Sequence, residues 1–241
     1  MDNRISTNMI ILFISCSDSL MERLWKTASL WRAGENVKKV DIARDSLKKC
    51  PQVVPWLFNN KIGKRDRFAL RAIRDMFMDN YQRTIPYLKF VLLSNDTLKV
   101  KDALYLVNEW KVKEISDVLW QLLSRYDDKP HILSSIIRAI GNSNDNNYGK
   151  YLLEYIDNED ELVRFRAIQS LGKLRYYPSI PHIIPHLKDS LFSIRYISCY
   201  ALNEMKDSSL KEIEKFLKVS NDEIFNYFAY LTINGNCLFK Q

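Results

Sequence analysis

The sequence predicts an all-α protein built from stacked antiparallel helix pairs. Three observations carry this: glycine and proline are scarce, apolar residues recur at helical spacing almost throughout, and one unit returns every 31 residues. Six Gly and seven Pro in 241 residues are too few for the many tight turns of a β-rich chain. Apolar side chains make up 46% and charged ones 27%, so the chain can bury a substantial core and is not of a disordered composition.

The helical pattern begins after residue 18. Leu20, Leu24, Thr27, Ala28 and Trp31 recur at three and four and mark one face of a first helix. Gly34 is its expected stop, because glycine takes the left-handed conformation that ends helices. Further helices are expected over 37–49, 52–59, 64–78, 84–94, 99–109, 114–125, 131–141, 148–156, 161–174, 180–188, 192–205, 208–218 and 222–233. Short polar turns separate them, and Pro51, Pro86, Pro130, Pro178 and Pro181 fall near helix starts, where a missing N–H costs little. No long linker divides the chain. The expectation is one helical-repeat domain over 16–241, with its clearest repeats in 131–241, preceded by a distinct segment, 1–15.

The clearest repeat runs from Asp160 through Val163, Arg164, Ala167 and Leu171 to Gly172. Thirty-one residues on, Ile194, Arg195, Ser198 and Leu202 fill its slots, and then Phe225, Ala229 and Ile233. Thirty-one residues back stand Ile132, Ile136, Ile140 and Gly141, and further back, with a small offset, Phe68, Ala72 and Met76. These residues form the buried stripe of the second helix of each pair, with a small residue at the middle position letting the next helix approach. Such a unit cannot bury its apolar face alone, so neighbours must stack.

The run Asp160-Glu161-Leu162-Val163-Arg164 through Leu171-Gly172 resembles the HEAT repeat family, especially its short form, found in bilin lyases. Asp189 through Leu202 resembles it more loosely, and the pattern degenerates before residue 130. The resemblance implies a right-handed α-solenoid whose second helices line a concave face. It implies no activity. In such repeats an arginine at the positions of Arg164 and Arg195 commonly pairs with a turn aspartate, for which Asp157, Asp160 and Asp189 are available.

The net charge of +7 is unevenly spread. Residues 32–74 hold twelve Lys/Arg and four acids, a local charge of +8 against −1 elsewhere. Within that segment Lys64, Arg67, Arg71 and Arg74 are spaced three, four and three, so they project from one face of a helix, with Phe68, Ala72, Ile73 and Met76 on another. This stripe is a candidate for binding phosphates or an acidic partner. It also fits the solvated polar face that every amphipathic helix carries.

Met9-Ile-Ile-Leu-Phe-Ile14 is an apolar run followed by Ser15-Cys16-Ser17. It resembles a bacterial lipoprotein signal, which implies acylation at Cys16, a lipid anchor and a place in the cell envelope. Phe13 departs from the usual leucine, and Arg4 is the leader's single basic residue. The alternative is a buried segment leading into a first helix capped by Ser17, Asp18 or Ser19, in a cytoplasmic protein. No two of the four cysteines have redox or zinc spacing. The chain does not read as a disulfide scaffold, and Cys199 reads as a small core residue.

Nucleotide, zinc-hydrolase and acyl-transfer signatures are missing. His182 and His186 are four apart, but Pro185 interrupts the helix between them, and no metal or other cofactor is expected. The function expected is a non-catalytic scaffold for a protein partner. A nucleic-acid-binding repeat protein using the basic stripe is the alternative, and a bilin-lyase-like enzyme ranks third.

Overall fold

The computed structural model describes residues 16–64 and 66–237. Segment 1–15 lies outside them, so the leader is not placed. The described residues are helical with no strand, and the fold class is an all-α solenoid type. No helix among them is long and apolar enough to cross a membrane. The chain forms two compact units, residues 1–106 and 107–241.

The first unit contains α1 (Asp18–Ala28), α2 (Asn36–Lys48), α3 (Val53–Asn60), α4 (Arg67–Met76), α5 (Ile85–Leu92) and most of α6 (Thr97–Trp110). Ser17 caps α1, accepting from Leu20 N. The buried face of α1 is Met21, Trp25 and Ala28, one position out of phase with the expected one, and the helix stops at Ala28. Trp31 therefore lies beyond the helix and is exposed. Gly34 does adopt φ +56°, but in the turn that starts α2. At the end of α1 the buried Arg44 guanidinium donates from Nε to Ala28 O at 3.0 Å, satisfying a carbonyl that the last turn of the helix leaves open. The same guanidinium reaches Asp75 on α4, so one side chain ties three helices together.

The second unit is more regular. Its second helices are α8 (Pro130–Asn142), α9 (Glu161–Leu174), α11 (Phe192–Glu204) and α13 (Glu223–Ile233), and their first residues fall 31 apart. Each packs on the next. The expected stripe is buried in Ile132, Ile136 and Ile140, then Val163, Ala167 and Leu171, then Ile194, Ser198 and Leu202, then Phe225 and Ala229, while Ile233, its last expected member, is only half-buried. Interhelical approach is closest to view at the glycines. A Cβ on Gly141 would meet Ser170, and one on Gly172 would lie 2.7 Å from Ala201 Cα.

The first helices of these pairs are less regular than expected. α7 (Ser116–Leu119) passes into 3-10 turns, 146–155 is 3-10 throughout, and α10 (Ile180–Ile183) sits between two 3-10 stretches; only α12 (Asp207–Leu217) is a longer α-helix. Three prolines interrupt 177–188, each lacking the N–H that an α-helix needs. Elsewhere the reason is resolution of period: over ten residues an apolar spacing of three fits 3.0 and 3.6 residues per turn alike. One other expectation shifts. In α4 the buried set is Ala69, Leu70, Ala72, Ile73 and Met76, so Phe68 belongs outside the repeat slot assigned to it. Trp120, 38% exposed, stacks on Tyr151 at 5.1 Å.

The cysteines correct the sequence reading most. Cys16 is bonded to Cys50 and Cys199 to Cys237, with Cα–Cα distances of 5.6 and 5.7 Å. Sequence spacing gives no warning, because the partners are 34 and 38 residues apart. The sulfur of Cys16 is used in this bond. A thioether to lipid needs the same sulfur, so the disulfide and acylation at Cys16 exclude one another.

Candidate interaction groove

The stripe residues lie on α4, whose start is set by Asp66: its carboxylate accepts from Phe68 N at 2.9 Å and Ala69 N at 3.0 Å. With five residues of the helix turned inward, Arg67, Phe68 and Arg71 face outward, and Phe68 is 61% exposed. α6 supplies the opposing wall. It is capped by Asp96, which accepts from Leu98 N and Lys99 N, and it presents Lys101, Asp102 and Tyr105. The two walls enclose an open groove of about 1030 Å³ within the first unit.

The four stripe residues are not equivalent. Lys64 precedes the helix, is exposed and does not line the groove. Arg67 lines it and forms no ion pair with any described residue. Arg71 lines it too, with its guanidinium laid on the Trp31 ring at 4.2 Å from the centroid. Arg74 is committed elsewhere: Nε and Nη2 both donate to Asp75 Oδ1, at 2.9 and 2.7 Å, and Nη1 reaches the Tyr105 hydroxyl at 3.4 Å. Lys101, which sequence reasoning missed, is exposed on the opposite wall. Only knowledge of which helices are neighbours could have found it.

Much of the basic excess of 32–74 is structural. Arg32 is held bidentately by Asp41, Arg44 and Arg74 share Asp75, Lys48 meets Asp45, and Lys61 meets Glu22 while lying over Trp56. The Asp102 carboxylate, also in the groove, accepts from Gly63 N at 2.6 Å; burial pushes its pKa up, partly opposed by that hydrogen bond. The cations around Phe68 that form no ion pair with a described residue are Arg67, Arg71 and Lys101. They can hold carboxylates or phosphates, and Phe68 can take an apolar side chain. No cluster of metal-binding side chains exists among the described residues. His186 sits near Asp157 and Asp189, at 3.2 and 3.7 Å, and His182 is not part of that contact.

The repeat arginines bind the backbone carbonyls of their turns, where a turn aspartate carboxylate was expected as the partner. Arg164 Nη1 donates to the carbonyls of Asn158 and Glu159, at 2.6 and 2.9 Å. Arg195 does the same to Asp189 and Ser190, at 2.7 and 3.0 Å. Shifting one set by 31 gives the other. Only Arg164 also approaches a carboxylate, with Nε 4.0 Å from Asp189. The turns themselves repeat at the same interval. The side chains of Asn158, Asp189 and Ser220 each accept from the backbone N–H two residues on. Removing Arg195 should leave two turn carbonyls without their charged donor. Arg195→Ala is expected to cost about 1.5–3 kcal/mol in urea unfolding. A change below about 0.5 kcal/mol, the range of ordinary surface substitutions, would show that water replaces the guanidinium.

The interval, the arginine-bridged turns and the close-packed second helices describe a helical repeat, and the profile of the HEAT repeat family matches residues 115–203. The matched segment lies in the second unit and includes both repeat arginines. Two engineered proteins solved by the Northeast Structural Genomics Consortium share the fold. One aligns with TM-score 0.50 and 16% identity over 89% of this chain and 96% of its own. The other gives 0.52 and 16% over 91% of this chain and 64% of its own. Human deoxyhypusine hydroxylase, solved in complex with glycerol, aligns at TM-score 0.37 with 12% identity, too distant to carry an argument. No curated protein sequence matches the chain.

Proposed function

We propose that this chain is a non-catalytic scaffold, and that the α4–α6 groove holds an acidic segment of a protein partner. The observation that carries the reading is the set of three cations without a carboxylate partner, Arg67, Arg71 and Lys101, around the exposed ring of Phe68. An acidic peptide with one large apolar side chain satisfies both features. HEAT repeats give the reading its general support, since such arrays offer extended surfaces to other proteins.

Nucleic acid is the second reading, favoured by the same cations. It ranks lower for two reasons. Trp31 already has Arg71 on its ring and offers a base less surface, and Arg74 is spent on Asp75. A duplex contact through so few cations would be weak, because each neutralised phosphate contributes about 0.9 to the salt slope of log affinity.

The test is selection of random dodecapeptides displayed on phage against the full chain. Peptides rich in Asp and Glu around one aromatic or large aliphatic residue should be enriched. They should lose about tenfold or more in affinity to the Arg67→Ala, Lys101→Ala double variant, and should bind more weakly as salt rises. Enrichment that the double variant retains would overturn the groove as the site.

A further inference from the structure

A second cationic face lies in the 107–241 unit and shares no residue with the groove. The end of α6 and two second helices contribute to it. α6 brings Asn108, with Lys111 just past its end. α8 brings Arg138 and Asn142, and α9 brings Arg166, Gln169 and Lys173. Residues 138 and 142 are four apart, and 166, 169 and 173 are three and four apart, so each set projects from one side of its helix.

Neutral amides join these side chains. Asn142 Nδ2 donates to Asn108 Oδ1 at 3.3 Å, and Lys173 Nζ donates to Asn142 Oδ1 at 3.1 Å. Arg166 Nη1 donates to Gln169 Oε1 at 2.7 Å. Among the described residues, none of Lys111, Arg138, Arg166 and Lys173 forms an ion pair. The cations feel one another instead. Burial, then Arg138, Arg166 and Lys111, pull the Lys173 ammonium below its ordinary pKa, and burial and Arg138 do the same to Arg166. No carboxylate offsets these influences.

Four cations gathered without an acid raise the free energy of the folded chain. Helix ends explain part of the gathering: Lys111 and Lys173 lie where the C-terminal dipole favours positive charge. Arg166 is in the second turn of α9, where the dipole opposes it, and Arg138 lies a full turn inside α8. We infer that this face is an anion site and that its ligand is a doubly charged phosphate group. Two guanidinium forks match the oxygens of such a group, and its charge of about −2 offsets more of the cluster than one carboxylate can. The group is either that of a soluble phosphate ester or that of a lipid headgroup.

The test is thermal unfolding of the full chain at pH 7, in sodium phosphate and in sodium chloride of matched ionic strength. Phosphate at a hundredfold excess over its Kd should raise Tm by about 5–10 °C. Arg138→Gln and Arg166→Gln should abolish that rise. In chloride alone they should unfold at or above the wild-type Tm, because repulsion is relieved; a purely structural arginine would lower it. Should either variant fail to fold, Lys173→Gln makes the same comparison. Sedimentation with phosphatidylcholine vesicles containing phosphatidic acid separates the sources. Binding lost in Arg138→Gln assigns the headgroup, and a phosphate response without vesicle binding assigns the soluble ester. An equal phosphate response in wild type and variants overturns the site. So does the absence of both a phosphate response and Arg138-dependent vesicle binding.

Discussion

Native protein recovered from an oxidising compartment is expected to resist alkylation at all four cysteines until it is reduced, and then to take up four alkyl groups. The two bonds close loops of 34 and 38 residues, one near each end of the described chain. A chain-entropy argument gives about 3–4 kcal/mol for loops of this length, since cross-links restrict the unfolded ensemble. Cys50→Ser should therefore lower the Tm by about 10 °C, at about 2–4 °C per kcal/mol for a chain of this size. Cys237→Ser should do the same for the other unit. The same mass measurement decides the alternative chemistry of Cys16. A species that begins at Cys16, carries acyl mass and leaves Cys50 open to alkylation would show that the sulfur goes to lipid. The bonds persist only outside a reducing cytosol, so a reduced and stable native chain would argue against both oxidised pairs.

The disulfides illustrate what one sequence hides. Helices were legible because their signal is local. The α9 span, Glu161–Leu174, coincides with the reading from period alone, and most other second helices agree within a residue or two. Pairing between Cys16 and Cys50 depends instead on how α1 and the turn before α3 come together, and no local pattern encodes it. Helix ends were partly hidden too. Lys111, Asn144, Arg175 and Lys206 take positive φ just beyond α6, α8, α9 and α11, positions where glycine is the usual signal. The scarcity of glycine that pointed to helices also removed their stop marks.

The groove was half legible for the same reason. Arg67 and Arg71 share a face by spacing alone, and the structure keeps them together. Arg74 shares that spacing, but Asp75 captures it, an outcome decided by a neighbour one residue away and by Tyr105 on another helix. Lys101 entered only once α6 was known to face α4. The cations of Arg138, Arg166 and Lys173 drew no notice in the sequence, being spread over two helices whose stacking had first to be established. Charge counted along the chain therefore overstated the binding potential of 32–74 and missed the face in the second unit.

Gly172→Ala is expected to destabilise the second unit by about 1–3 kcal/mol, although the same change in an exposed helix would stabilise it by about 1 kcal/mol. The sign follows from contact. A Cβ at 172 would stand 2.7 Å from both Cα and Cβ of Ala201 and 3.2 Å from its carbonyl oxygen, so α9 and α11 would have to separate. Backbone atoms cannot turn aside as a long side chain can. Gly141 stands in the same relation to Ser170, one repeat earlier, and Ser170 is further fixed by donating its hydroxyl to Ile137 O at 3.0 Å. Adding Ala201→Gly to Gly172→Ala should recover part of the loss, because one of the two offending atoms is removed while Cα stays. A coupling energy of at least about 0.5 kcal/mol in that double-mutant cycle, from urea unfolding, would locate the strain at this contact. If Gly172→Ala instead raised the urea midpoint, α9 and α11 would be farther apart than described. The repeat would then owe its 31-residue regularity to the turns bridged by Arg164 and Arg195 rather than to close helix packing.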